Sequence, residues 1–111
     1  MRVTDQFQVD AFTIYEAPMP PGKSVLDPIT VLLRDFGGSG QVIVECYGAA
    51  WSCWFGAIGG DTLRQFLVDC DEFYLAGKLG CVTHRSTTKR EESYLKHICR
   101  AVIAALKGGA A

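Results

Sequence analysis

Five cysteines and two histidines are the residues of this 111-residue sequence best suited to hold a metal or attack an electrophile. Cys81-x-x-His84, followed by His97-x-Cys99, supplies nitrogen and sulfur ligands at a spacing resembling that of a zinc finger. The second half fails on geometry, because residues two apart on a helix point about 200° from one another. Cys99 also belongs to an apolar stripe, where a free cysteine behaves as a small hydrophobe. A catalytic cysteine needs a base or a positive charge that favours its thiolate. No local signature pairs a cysteine with either histidine; Cys46 and Cys70 fall on apolar faces and Cys53 lies between two tryptophans. The glycine-rich stretches FGGSG and GAIGGDT match neither a phosphate-binding loop nor a dinucleotide fingerprint. The residues therefore predict no enzyme, no metal and no cofactor.

Binding chemistry is better represented. DCDE (69–72) gathers Asp69, Asp71 and Glu72 into a compact negative patch, suited to lysine or arginine on a partner. HRSTTKR (84–90) carries Arg85, Lys89 and Arg90 among hydroxyls beside an expected helix start, a setting that suits phosphate. Glu91 and Glu92 follow directly and oppose such binding. In WSCWFG (51–56), a strand would point Trp51, Cys53 and Phe55 one way and Ser52 and Trp54 the other. One tryptophan can then join the core. The other is left for a loop to cover, for bases to stack on, or for a protein interface to use as an anchor.

The elements that must position these residues follow from patterning. FQVDAFTIY (7–15) alternates and then changes phase, which predicts a strand with a bulge near Ala11. All four prolines lie in 16–28, a long extended loop. Residues 29–35 and 41–47 read as two strands joined by FGGSG, with Ile29, Val31, Leu33, Val42, Val44 and Cys46 facing one side and Gln41 and Glu45 the other. WSCWFG adds a strand to this meander. Beyond it, Leu63, Phe66, Leu67 and Cys70 recur at helical spacing behind Asp61 as cap, and Asp71 is placed to cap a second short helix that stops at Gly80. The clearest helix spans 89–107, with Leu95, Ile98, Cys99, Val102 and Leu106 on one stripe and Thr87 or Thr88 as its cap. Strands first and helices afterwards give an α+β class: an antiparallel sheet of about four strands, two short helices and one long helix, in a single domain over 1–111.

Charge and composition narrow the function classes. Eleven basic and twelve acidic side chains leave a formal net charge of -1, which excludes a polycation coating nucleic acid and a protein acidic over its whole surface. The start MRVTDQFQVDAF has no signal-peptide apolar core, and no apolar run approaches the ~18 residues of a membrane span. The expectation is a protein of a reducing cytoplasm, without membrane contact and with free thiols.

From about residue 27 to residue 107 the sequence resembles a family of small proteins carried by phages and prophages. The resemblance rests on Trp51, Ser52, Trp54, Phe55, Gly56 and Ala57, then on Phe66, Cys70, Asp71, Tyr74, Leu75, Lys78 and Leu79, and on Lys89, Arg90 and Glu91. In kind, such a protein is similar to the anti-CRISPR proteins. What the resemblance implies is an inhibitor that binds bacterial CRISPR effector (Cas) proteins and blocks recognition of target DNA. Asp69, Asp71, Glu72 and Trp54 are then the expected partner contacts. The alternative is a phage accessory protein that binds nucleic acid through Arg85, Lys89 and Arg90.

Overall fold

A computed structural model of the chain describes residues 1–3, 8–18, 24–81 and 89–108. Within them the order is β1 (Gln8–Ile14), β2 (Ile29–Asp35), β3 (Gly40–Cys46), β4 (Ala49–Phe55), α1 (Leu63–Val68), α2 (Glu72–Cys81) and α3 (Lys89–Lys107). The strands form one antiparallel sheet in the order β1-β2-β3-β4, each pairing with its sequence neighbour. This is the expected α+β meander followed by helices.

Alternation decides which face is covered. On one face Ile29, Val31, Leu33, Val42, Val44, Cys46, Cys53 and Phe55 are buried, and the helices add Leu63, Leu67, Leu75, Leu79, Leu95, Ile98, Cys99, Val102 and Leu106 to the same core. One row of this face runs Phe12, Val31, Val44, Trp51 across all four strands. The opposite face lies away from the helices; its rows include Val9, Arg34, Gln41, Trp54 and Ala11, Leu32, Ile43, Ser52. Each side of the sheet reads off the period of two.

Three local expectations are corrected. β1 carries no bulge, since its register with β2 is unbroken from Gln8↔Asp35 to Ile14↔Ile29. The apparent phase change is a strand that turns Asp10, Phe12 and Ile14 inward and leaves Val9 and Ala11 exposed. β3 ends at Cys46, because Tyr47 (φ 52°) and Gly48 (φ 77°) form the two-residue turn to β4. Positive φ at both positions is the primed hairpin geometry, whose twist matches the flanking strands. The cap of α1 is Thr62 rather than Asp61. Its hydroxyl accepts from the Gln65 N–H while Gln65 Oε1 accepts from the Thr62 N–H, so two otherwise unpaired donors are satisfied.

The proline-containing loop is tied down at both described ends. Ala17 and Leu26 are buried, and the Leu26 N–H donates to the Ala17 carbonyl at 2.8 Å. α1 sits close on the sheet because Gly40 has no side chain. A Cβ there would lie 2.8 Å from Leu63 Cδ2 and 3.1 Å from the Arg34 carbonyl. The cap expected at Thr87 or Thr88 lies outside the described residues.

Candidate functional site

The acidic residues of 69–72 gather at the α1–α2 junction, and two of the three also serve the fold. Asp69 closes α1 as its C-cap and is exposed. Asp71 caps α2: its Oδ1 accepts the Tyr74 N–H at 2.8 Å, as its spacing predicted. Glu72 reaches Arg100 of α3, with Oε1 3.5 Å from the guanidinium. The next two residues, Phe73 and Tyr74, are aromatic and remain 60% and 47% exposed. Carboxylates and exposed rings therefore share one short ridge. Leu75 anchors that ridge in the core, and Tyr74 leans on Phe55 with ring centroids 6.3 Å apart.

Trp54 does not join this ridge. It points from β4 to the sheet face away from the helices and stays 50% exposed. Its neighbour there is Phe36 of the β2–β3 turn, at 5.5 Å between centroids, and Arg34 lies over the Phe36 ring at 5.1 Å. Arg34 also donates to Gln41 Oε1, so Arg34, Phe36, Gln41 and Trp54 form one polar and aromatic cluster. Trp51, facing inward, is half-buried between the sheet and the helices.

Of the basic run, Lys89 and Arg90 are exposed on the first turn of α3, beside Glu91 and Glu92. Arg85 and His84 lie outside the described residues. Cys99 is buried in the core while His97, two positions away, is half-buried with its Nδ1 enclosed. Among the described residues no three His, Cys, Asp or Glu side chains converge on a point where an ion could sit. Burial is the first cause in raising the thiols: Cys53 is pushed up to about 11, Cys99 to about 12, and Cys46 upward. Cys70 rises for the same reason, helped by Asp71 and Asp69 nearby. A raised thiol is protonated at neutral pH, the opposite of what a nucleophilic cysteine requires.

One hollow was not anticipated from the sequence. A cavity of about 320 Å³ opens between α2 and the first turns of α3, walled by Trp51 and Phe73 with Gly77 of α2 on its lining. Glu91 and Glu92 also line it, and Lys96 Nζ sits 5.3 Å above the Phe73 ring. A sign was present: Gly77 and Gly80 stand inside a helix, where glycine costs up to about 1 kcal/mol against alanine. A Cβ at Gly77 would meet nothing within 4 Å.

Among the described residues no helix is long and apolar enough to cross a membrane. No curated protein and no solved structure matches the chain. A family model described as a phage family, Phage_phiTE_072, matches residues 7–109 and so takes in the whole sheet from its first strand, the acidic ridge and all three helices. The chain belongs to that phage family.

Proposed function

We propose that this protein works by binding a host protein and blocking it without turnover, and that the target is a bacterial CRISPR effector complex whose DNA-binding surface it occludes. The observation that carries the binding reading is the ridge at the α1–α2 junction. Exposed Asp69 and Asp71 stand directly before exposed Phe73 and Tyr74. A surface built to hold DNA is rich in lysine and arginine, which carboxylates complement, and adjoining aromatic rings supply the apolar contact that hot spots combine with charge. Membership of a phage family supports the step from binding to evasion of host defence. Trp54 lies on the other face of the sheet, so a flat partner surface seated on the ridge does not also cover it.

The test uses Asp69→Lys with Asp71→Asn. Asparagine keeps the α2 cap, and Glu72 is left in place to hold Arg100. The variant should fold normally, lose at least about 2 kcal/mol of affinity for the host partner, and fail to protect phage in a CRISPR interference assay. A folded variant that captures its partner and protects fully removes the ridge as the contact. Trp54→Ala is the companion, and loss of capture with an unchanged melt would move the contact to the open sheet face. Capture that disappears on nuclease treatment would favour the nucleic-acid alternative through Lys89, Arg90 and the rest of the 84–90 segment.

A further inference from the structure

The two edges of the sheet differ in what they present to a further strand. β1 turns Asp10 toward the covered side, where its carboxylate pairs with Arg64 at 2.8 Å. An inward-pointing charge of this kind discourages a strand from adding. β4, the other edge, reads AAWSCWF and has neither a charge nor a proline. Among the described residues its main chain hydrogen-bonds only to β3. The turn fixes the phase of this edge. A two-residue hairpin closes on a hydrogen-bonded pair, here Cys46 and Ala49, and such pairs alternate along the ladder. Ala49, Trp51, Cys53 and Phe55 therefore turn their N–H and C=O groups to β3, while those of Ala50, Ser52 and Trp54 point outward. Side chains divide in the same way, with Trp51, Cys53 and Phe55 toward the helices and Ala50, Ser52 and Trp54 on the open face.

We propose that β4 pairs antiparallel with β4 of a second copy of this chain, about a twofold axis through Ser52, joining the two sheets into one. An antiparallel strand added here must set outward-pointing residues opposite outward-pointing residues. Of the twofold registers that remain, only the one through Ser52 overlaps all seven residues of the strand. It places Ser52 opposite Ser52, Trp54 opposite Ala50, Trp51 opposite Cys53 and Phe55 opposite Ala49. Each ring then faces a small side chain, and no ring meets another. Moving the axis by one residue destroys that fit: through Trp51 it opposes the two indoles, and through Cys53 it opposes Trp51 to Phe55. This self-complementarity selects the occupant, and no charge is buried by either strand. Trp54, 50% exposed, rests on Phe36 at one side and gains the exposed Ala50 of the second copy at the other. The edge is ~24 Å long, and a sheet with its helix layer stands ~20 Å deep, so each copy covers roughly 500 Å². About 1,000 Å² in total is where specific interfaces begin, which makes the dimer reversible. The pairing is independent of the host contact proposed above, since the Asp69–Glu72 ridge contributes no residue to β4.

The experiment is sedimentation equilibrium of the full chain from about 1 μM to about 1 mM, which should show a reversible monomer–dimer exchange. Amide hydrogen exchange over the same range should slow several-fold at Ala50, Ser52 and Trp54. Trp51, Cys53 and Phe55, whose amides β3 already holds, should not change. Ser52→Lys and Ser52→Glu each set like charges across the axis and should weaken the dimer about ten-fold when alone. Mixed in equal amounts, the two variants should pair with one another. Ala11→Lys puts the same charge on the open face of β1 and should leave the dimer intact. A monomer throughout the range, new protection confined to Trp51, Cys53 and Phe55, or a dimer that survives both Ser52 variants would each overturn the proposal. Loss of the dimer in Ala11→Lys would do so as well. Failure of the mixture to pair, with both variants melting as wild type does, would overturn the axis through Ser52. Should either variant fail to fold, the exchange pattern of the wild-type chain decides alone.

Discussion

Asp35 is the residue whose loss should travel furthest through the fold. It ends β2, yet both carboxylate oxygens serve other segments: Oδ1 accepts the Gly37 N–H at 2.9 Å and Oδ2 accepts the Leu63 N–H at 3.0 Å. One side chain thus fastens the β2–β3 turn and the first residue of α1. Hydrogen bonds to a charged group contribute roughly 1.5–3 kcal/mol each, and partial exposure of this carboxylate places these at the low end. Asp35→Ala should therefore cost about 2–3 kcal/mol, or ~8–12 °C in melting temperature for a domain of this size. Asp35→Asn keeps one acceptor and should cost about half of that. The pH dependence provides the sharper check. The bond from Leu63, then that from Gly37, holds the carboxyl below its ordinary 3.8. A carboxylate with a folded pKa below the unfolded one gives its full stabilisation above the unfolded value and loses it as pH falls through the folded value. Urea unfolding at about pH 7 should show the full gap between wild type and Asp35→Asn, and at about pH 3 the gap should narrow. Equal stability at neutral pH, or a gap independent of pH, would refute the two-bond account.

Gly40→Ala should destabilise by about 1–3 kcal/mol in the same assay, because its Cβ would press on Leu63 and on the Arg34 carbonyl, and wild-type stability would show that α1 can shift outward. Thr62→Ala should remove the capping box and cost about 0.5–2 kcal/mol, whereas Asp61→Ala should have little effect; the reverse order would restore Asp61 as the cap. Under native conditions a disulfide reagent should label Cys70 well before Cys53 and Cys99, whose thiols are buried and shifted up to about 11 and about 12. Peptide mapping that found Cys99 modified as fast in folded protein as in urea would contradict its place in the core.

Where one interaction dominated, the residues were readable. Ile29, Val31 and Leu33 opposite Val42, Val44 and Cys46 give a strand pair whose inner face needs no tertiary information, and the α3 stripe is equally self-contained. The same period set Trp51 and Trp54 on opposite faces, and the helices, by covering the Trp51 side, leave Trp54 as the exposed one. What failed was competition between neighbours of similar capacity. Asp61 and Thr62 can both cap, and the choice rested on Gln65 reaching back to Thr62 while Asp35, 28 positions away, took the Leu63 N–H. The residues around Ala11 fit two overlapping phases, and pairing with β2 fixes one of them. The candidate site was legible only in part. Asp69 and Asp71 fell at the junction as expected, but the pairing of Glu72 with Arg100 joins residues on different helices. No periodicity announces the cavity under Trp51, since its walls come from β4, α2 and α3 together.

The sheet's inner face depends on an element synthesised after every one of its strands. α3 contributes Leu95, Ile98, Cys99, Val102, Ile103 and Leu106 to the core, and every strand precedes it in the chain. Until α3 has cleared the ribosome, the meander and its hairpins can form, but Val31, Val44 and their neighbours stand open to other chains. During that interval the uncharged β4 edge and the uncovered apolar face are presented together by the nascent polypeptide. Chaperones that attend the ribosome bind such surfaces.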